Sequence, residues 1–126
     1  IRKHQNARAQ RGFMTLECYR GLSRLAVPGG SNVLLDGLGN LVAGELYSPQ
    51  GRGTAEILAG TEHLLEQCCH LTMVADEVFS GGRDYEGDTL RYLREMGALH
   101  RALARRADRV IEVVCGIPNI LKEAAP

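Results

Sequence analysis

Two apolar runs in this chain end on carboxylates and then on glycine. They are Val33-Leu34-Leu35-Asp36-Gly37, and Leu71-Thr72-Met73-Val74-Ala75-Asp76-Glu77 followed by Ser80-Gly81-Gly82. An acid that closes a buried strand stands where a divalent cation can be held, directly or through water, against a phosphate. One such run also occurs wherever a strand enters a turn, because Asp is a turn residue; two of them narrow the choice toward a shared site. A third candidate is His4, in a basic stretch with Arg2, Lys3, Arg8 and Arg11. Neutral imidazole attacks phosphorus, and guanidinium groups stabilise the charge that develops on phosphoryl oxygens. The same histidine on a solvated polar helix would do no chemistry. A phosphate cradle of the form G-x-x-x-x-G-K-[ST] does not occur in the 126 residues, and Gly37-Leu38-Gly39 lacks the lysine and hydroxyl that would follow.

The elements that must position these groups follow from hydrophobic spacing. Residues 1–12 are polar and basic with no apolar stripe, which predicts an exposed helix or arm. Residues 13–18 read as a short strand and 19–27 as a short helix, ended by Pro28-Gly29-Gly30. A strand at 33–36 and a helix at 38–47 come next. That helix forms despite Gly39 and Gly44, each of which costs about 1 kcal/mol relative to alanine. After a surface loop at 48–53, Ile57, Leu58, Thr61, Leu64, Leu65 and Cys68 recur at helical spacing, with Thr54 as candidate cap. A strand at 71–78, a polar glycine-containing loop to Asp88, a long amphipathic helix at 89–106 rimmed by arginines, and a β-branched strand at 109–117 complete the chain.

Strands alternating with helices predict an α/β fold: a mostly parallel sheet with helices on both faces, and a ligand site beyond the carboxyl ends of the strands. Asp36, Asp76 and Glu77 all fall at that edge. The length fits one domain spanning residues 1–126. Fifteen basic and fifteen acidic residues cancel, so no general attraction to nucleic acid or to an anionic membrane is expected. Four cysteines, two of them adjacent at Cys68-Cys69, lack metal or disulfide spacing and read as reduced, mostly buried thiols. No apolar run approaches the ~20 residues of a membrane span, and the expected location is cytoplasmic. His63, His70 and His100 have no partner at ligand spacing and are assigned surface or packing roles.

Residues 74–82 (VADEVFSGG), 94–110 (REMGALHRALARRADRV) and 113–122 (VVCGIPNILK) resemble, in one register, the latter part of the adenosylcobinamide kinase/adenosylcobinamide-phosphate guanylyltransferase family of cobalamin biosynthesis. Residues 33–47 (VLLDGLGNLVAGELY) are similar to that family's strand and following helix. Residues 1–17 (IRKHQNARAQRGFMTLE) are similar to its R-I-x-x-H-x-x-x-R-x-x-x-[WF]-x-T-x-E segment. The sequence departs from the pattern where Asp76 replaces a usual Asn, where Phe79 replaces the first motif glycine, and at Gly82-Arg83-Asp84.

The resemblance implies a P-loop NTPase (RecA-like) fold whose opening strand and P-loop would precede Ile1, leaving this chain N-terminally incomplete. It also implies phosphorylation of adenosylcobinamide, then transfer of GMP from GTP through a guanylylated histidine. His4 stands at the guanylylated position and Asp36 at the acidic position associated with Mg²⁺ and phosphate. Arg8, Glu77 and Gly81 match nucleotide-binding positions. GTP or ATP is the implied nucleotide, a corrinoid the implied small-molecule partner, and a homo-oligomer the implied assembly. The alternative is a divergent or truncated, non-catalytic binding or assembly module of the same fold. An unrelated flavodoxin-like receiver is disfavoured, because its strand-end acids are joined by a lysine at a later strand end, and Lys122 lies well past residues 112–117 (EVVCGI) of the last expected strand.

Overall fold

The computed structural model describes residues 12–76 and 87–124. The element expected at 1–12 therefore lies almost wholly outside the described residues. In chain order the elements are β1 (Asn32–Asp36), α1 (Leu38–Tyr47), α2 (Thr54–Gln67), β2 (His70–Val74), α3 (Gly87–Arg106), β3 (Val110–Val114) and β4 (Ile117–Lys122). The fold is a mixed α/β arrangement with a small parallel sheet and helices, as the alternation of apolar runs requires.

β1 and β2 pair in parallel, from Asn32 opposite His70 to Asp36 opposite Val74. Parallel strands need a crossover, and α1 and α2 supply it. Along both strands burial alternates: Val33, Leu35, Leu71 and Met73 turn inward, while Leu34 and Val74 remain 47% and 43% exposed. Among the described residues helices thus cover one face of this sheet, where coverage of both faces was expected. The continuous apolar sequence hid the alternation, since leucine and valine occupy the outward positions too.

β3 also differs from expectation. It pairs antiparallel with β4 in a separate two-stranded sheet and adds no strand to the parallel pair. The cause is local: Cys115 and Gly116 both adopt positive φ, 51° and 76°, and two consecutive left-handed residues make the tight turn whose twist suits a hairpin. Cysteine is not among the residues that usually mark the first of these positions, so the turn was not legible. The Lys122 ammonium then donates to the carbonyls of Ala104 and Arg105 at 3.0 and 3.1 Å. It satisfies acceptors that the end of α3 leaves open.

Leu35 of β1, Leu38, Leu41 and Val42 of α1, Ile57 and Leu64 of α2, and Met96 and Leu99 of α3 form one buried cluster with Leu22. The helical stripes predicted from sequence are the ones that meet there. Thr54 does not cap α2; Gly53 occupies that position, and the Thr54 hydroxyl donates to Glu95 of α3 at 2.9 Å. The four thiols form no disulfide, with Cys18 and Cys68 half-buried but Cys69 and Cys115 exposed, which corrects the expectation of mostly buried cysteines. Among the described residues no helix is long and apolar enough to cross a membrane.

Residues 13–18 form no strand, and of 19–27 only Leu22–Arg24 is helical, as a 3-10 turn. This stretch lacks a ladder of its own, so its backbone groups need partners elsewhere. Three side chains from α1 and α2 supply them. Glu45 accepts from the Gly21 N–H, Glu56 accepts from the Ser23 N–H and hydroxyl, and Gln67 accepts from the Val27 N–H while donating to the Leu25 carbonyl. Gly60 makes room for Leu22, because a methyl group there would overlap the leucine side chain and backbone.

The Ser23 hydroxyl, followed by its N–H and the charges of Arg52 and Arg24, lowers the Glu56 pKa from the usual glutamate value against an opposing effect of burial. The folded state therefore favours the carboxylate. Its stabilising effect is present above the usual glutamate range and is lost as pH falls through the depressed folded pKa. Glu56→Gln is expected to cost about 1–3 kcal/mol at neutral pH, and the difference from the parent should shrink in urea titrations carried from pH 7 into that acid range. A difference that widens on acidification would contradict this role.

Candidate functional site

The carboxyl ends of β1 and β2 form the rim that the alternation pointed to. Because Asp36 lies opposite Val74 in the parallel register, the chain beyond Val74 brings Asp76 past the same end of the sheet. Both aspartates are exposed. The acids that close the two apolar runs thus share one edge, and neither is buried against apolar neighbours. Glu77, His4, Arg8 and Gly81 lie outside the described residues.

The turn from β1 into α1 is abrupt. Gly37, the residue between Asp36 and the helix, has φ 82° and ψ 41°, a left-handed conformation that costs an L-residue about 1–2 kcal/mol and glycine nothing. Among the described residues no side chain caps α1. Its first amides and the positive end of its dipole accordingly face the end of the helix where Asp36 stands.

α3 closes one side of this turn. The hydroxyl of Tyr92 lies against Gly39, so close that a Cβ at residue 39 would sit 2.5 Å from the Oη atom. Gly39 is not among the glycines with positive φ; the neighbour, and not the backbone conformation, excludes a side chain there. Burial first, then the nearby Tyr47 and Asp76, raise the Tyr92 pKa above the ordinary tyrosine value. The phenol is therefore a neutral hydroxyl at physiological pH. Sequence reasoning took Tyr92 as a position on an amphipathic helix. The signal that pointed elsewhere was Gly39, a poor helix former in the first turn of α1 only three residues past Asp36.

The donor set fits a hard cation held loosely. Mg²⁺ takes oxygen ligands, commonly one or two carboxylates, with water and substrate phosphates completing its shell. Asp36 offers an accessible carboxylate of that kind. Among the described residues no group of three or more His, Cys, Asp or Glu side chains gathers to hold a metal, so nothing there resembles a structural metal cage. A separate groove of about 560 Å³ on α3, lined by Leu93, Arg94, Gly97, His100 and Arg101, contains neither rim aspartate.

The profile of the family described as cobinamide kinase / cobinamide phosphate guanyltransferase matches residues 1–121. No curated protein and no solved structure matches the chain.

Proposed function

Since the chain belongs to the cobinamide kinase / cobinamide phosphate guanyltransferase family, we propose that it acts in the cytoplasm in cobalamin biosynthesis, phosphorylating adenosylcobinamide and then transferring GMP to the phosphorylated product. The family match over residues 1–121 carries this reading. The exposed Asp36 at the carboxyl end of a parallel strand supports it. In the nucleotidyl step a ring nitrogen of His4 attacks the α-phosphorus of GTP, forming a P–N bond as pyrophosphate leaves. A phosphate oxygen of the corrinoid then attacks the same phosphorus and releases the imidazole. Splitting the transfer in this way replaces one difficult displacement by two easier ones.

Asp36 would hold Mg²⁺ beside the nucleotide, and the ion would neutralise charge on the phosphates. Arg8, Glu77 and Gly81 are the proposed nucleotide-binding residues. The parallel β1–β2 pair with its α1–α2 crossover is compatible with the P-loop NTPase architecture proposed for the whole fold. Function as a homo-oligomer belongs to the same proposal.

A second reading, a non-catalytic assembly module, is favoured by one observation. The β3–β4 hairpin exposes Val113, Val114, Ile117 and Leu121 by 54–69% each, and exposed apolar surface is what an association site offers. Titration with Mg·GTP during thermal unfolding separates the two. A ligand at 100 times its Kd adds about 2.7 kcal/mol, and Asp36→Asn is expected to weaken Mg·GTP at least about tenfold. Absence of any stabilisation in the parent chain would favour the assembly module, and unchanged affinity in the variant would remove Asp36 from the metal site.

A further inference from the structure

We infer that the Tyr92 hydroxyl is a ligand-binding group of the strand-end rim, donating a hydrogen bond to a phosphate oxygen of the nucleotide held near Asp36. The inference rests on the nucleotidyl-transfer reading above and adds a residue from α3 to it.

Three observations converge on this hydroxyl. It is placed by packing: the Tyr92 ring is partly buried against the hydrophobic cluster that joins α1, α2 and α3, so the side chain enters the rim from a rigid element. It is accommodated by a matched deletion, since Gly39 leaves the notch in which the oxygen sits. Alanine would favour the helix by about 1 kcal/mol at such a position, and the backbone there is ordinary. The glycine is therefore fitted to the phenol. Finally, the hydroxyl is near enough to Asp76 for that carboxylate to raise its pKa, while no described residue forms a hydrogen bond with it.

The rim's two aspartates can only accept hydrogen bonds, and they repel a phosphate. A site that receives one therefore needs hydrogen-bond donors from neighbouring elements. A neutral O–H held beside carboxylates meets that need, and its bond to an ionised oxygen belongs to the stronger, charge-assisted class.

Tyr92→Phe removes one oxygen and leaves the ring in place. Measured by calorimetry in the presence of Mg²⁺, its Kd for GTP is expected to rise about tenfold or more. Its affinity for guanosine, which has no phosphate, should be unchanged, and so should its melting temperature. Gly39→Ala should weaken GTP in the same direction by displacing the hydroxyl. Adding Gly39→Ala to Tyr92→Phe should cost less than either effect alone predicts, because the atom that the new methyl would strike is gone. If Tyr92→Phe binds GTP like the parent, or loses GTP and guanosine in equal proportion, the hydroxyl only packs and the inference is overturned by itself. Failure of the parent protein to bind Mg·GTP at all would overturn the inference together with the nucleotidyl-transfer reading.

Discussion

Incubated with Mg²⁺ and GTP labelled in its α-phosphate, the protein is expected to retain the label covalently, through a bond that acid cleaves and alkali spares. That lability is the signature of phosphorus bound to nitrogen and distinguishes the adduct from an ester on serine or threonine. His4→Ala is expected to reduce labelling by at least about a thousandfold, because removing a nucleophile removes the intermediate and not merely a contact. The neighbouring Lys3 is the informative control. An amine also forms a P–N bond, and the two residues are adjacent in a stretch rich in arginine. Lys3→Ala should leave most of the labelling intact. Mass spectrometry of the labelled peptide decides between them directly: GMP on Lys3, or undiminished labelling of His4→Ala, would remove His4 from the mechanism.

How far these expectations could be read from residues alone depended on whether a side chain's partner was near in sequence. β1 and α1 were legible because Val33-Leu34-Leu35 is apolar without a break and Gly37 supplies the positive φ of an immediate turn. α2 and α3 were legible from the 3.6-residue recurrence of Ile57, Leu64, Met96 and Leu99, each of which the fold buries. The location of the acids followed from those elements, and Asp36 and Asp76 do share one edge. The irregular segment before β1 was not legible. Its conformation is dictated by Glu45, Glu56 and Gln67, which stand 24 to 42 residues away from the backbone groups they satisfy. A carboxylate one turn from Leu41 and Val42, on the apolar side of a helix, was the available sign that a buried acceptor was waiting for a donor. Tyr92 was missed for the same reason: its meaning comes from Gly39, on another helix.

Glu45 gives the largest expected effect on stability. It is 3% exposed in α1, and its two carboxylate oxygens serve two different stretches of backbone. One accepts from the Gly21 N–H at 3.1 Å and the other from the Arg52 N–H at 3.0 Å. One side chain therefore holds the segment that precedes β1 and the loop that connects α1 to α2. Glu45→Ala would leave both donors without an acceptor and open a gap inside the fold. At about 1–3 kcal/mol for each buried donor left unpaired, the expected loss is about 3–5 kcal/mol, a large part of the 5–15 kcal/mol typical of a folded domain. Glu45→Gln keeps the shape and one acceptor but turns an amide N–H₂ toward one of the two donors, so its loss should be about half as great. Urea unfolding of the three proteins at neutral pH should rank them in that order. Equal losses for the two variants would assign the effect to charge and not to the placement of two acceptors. A Glu45→Ala unfolding free energy within about 0.5 kcal/mol of the parent, the size of an ordinary surface change, would mean that the segment before β1 is anchored by other contacts.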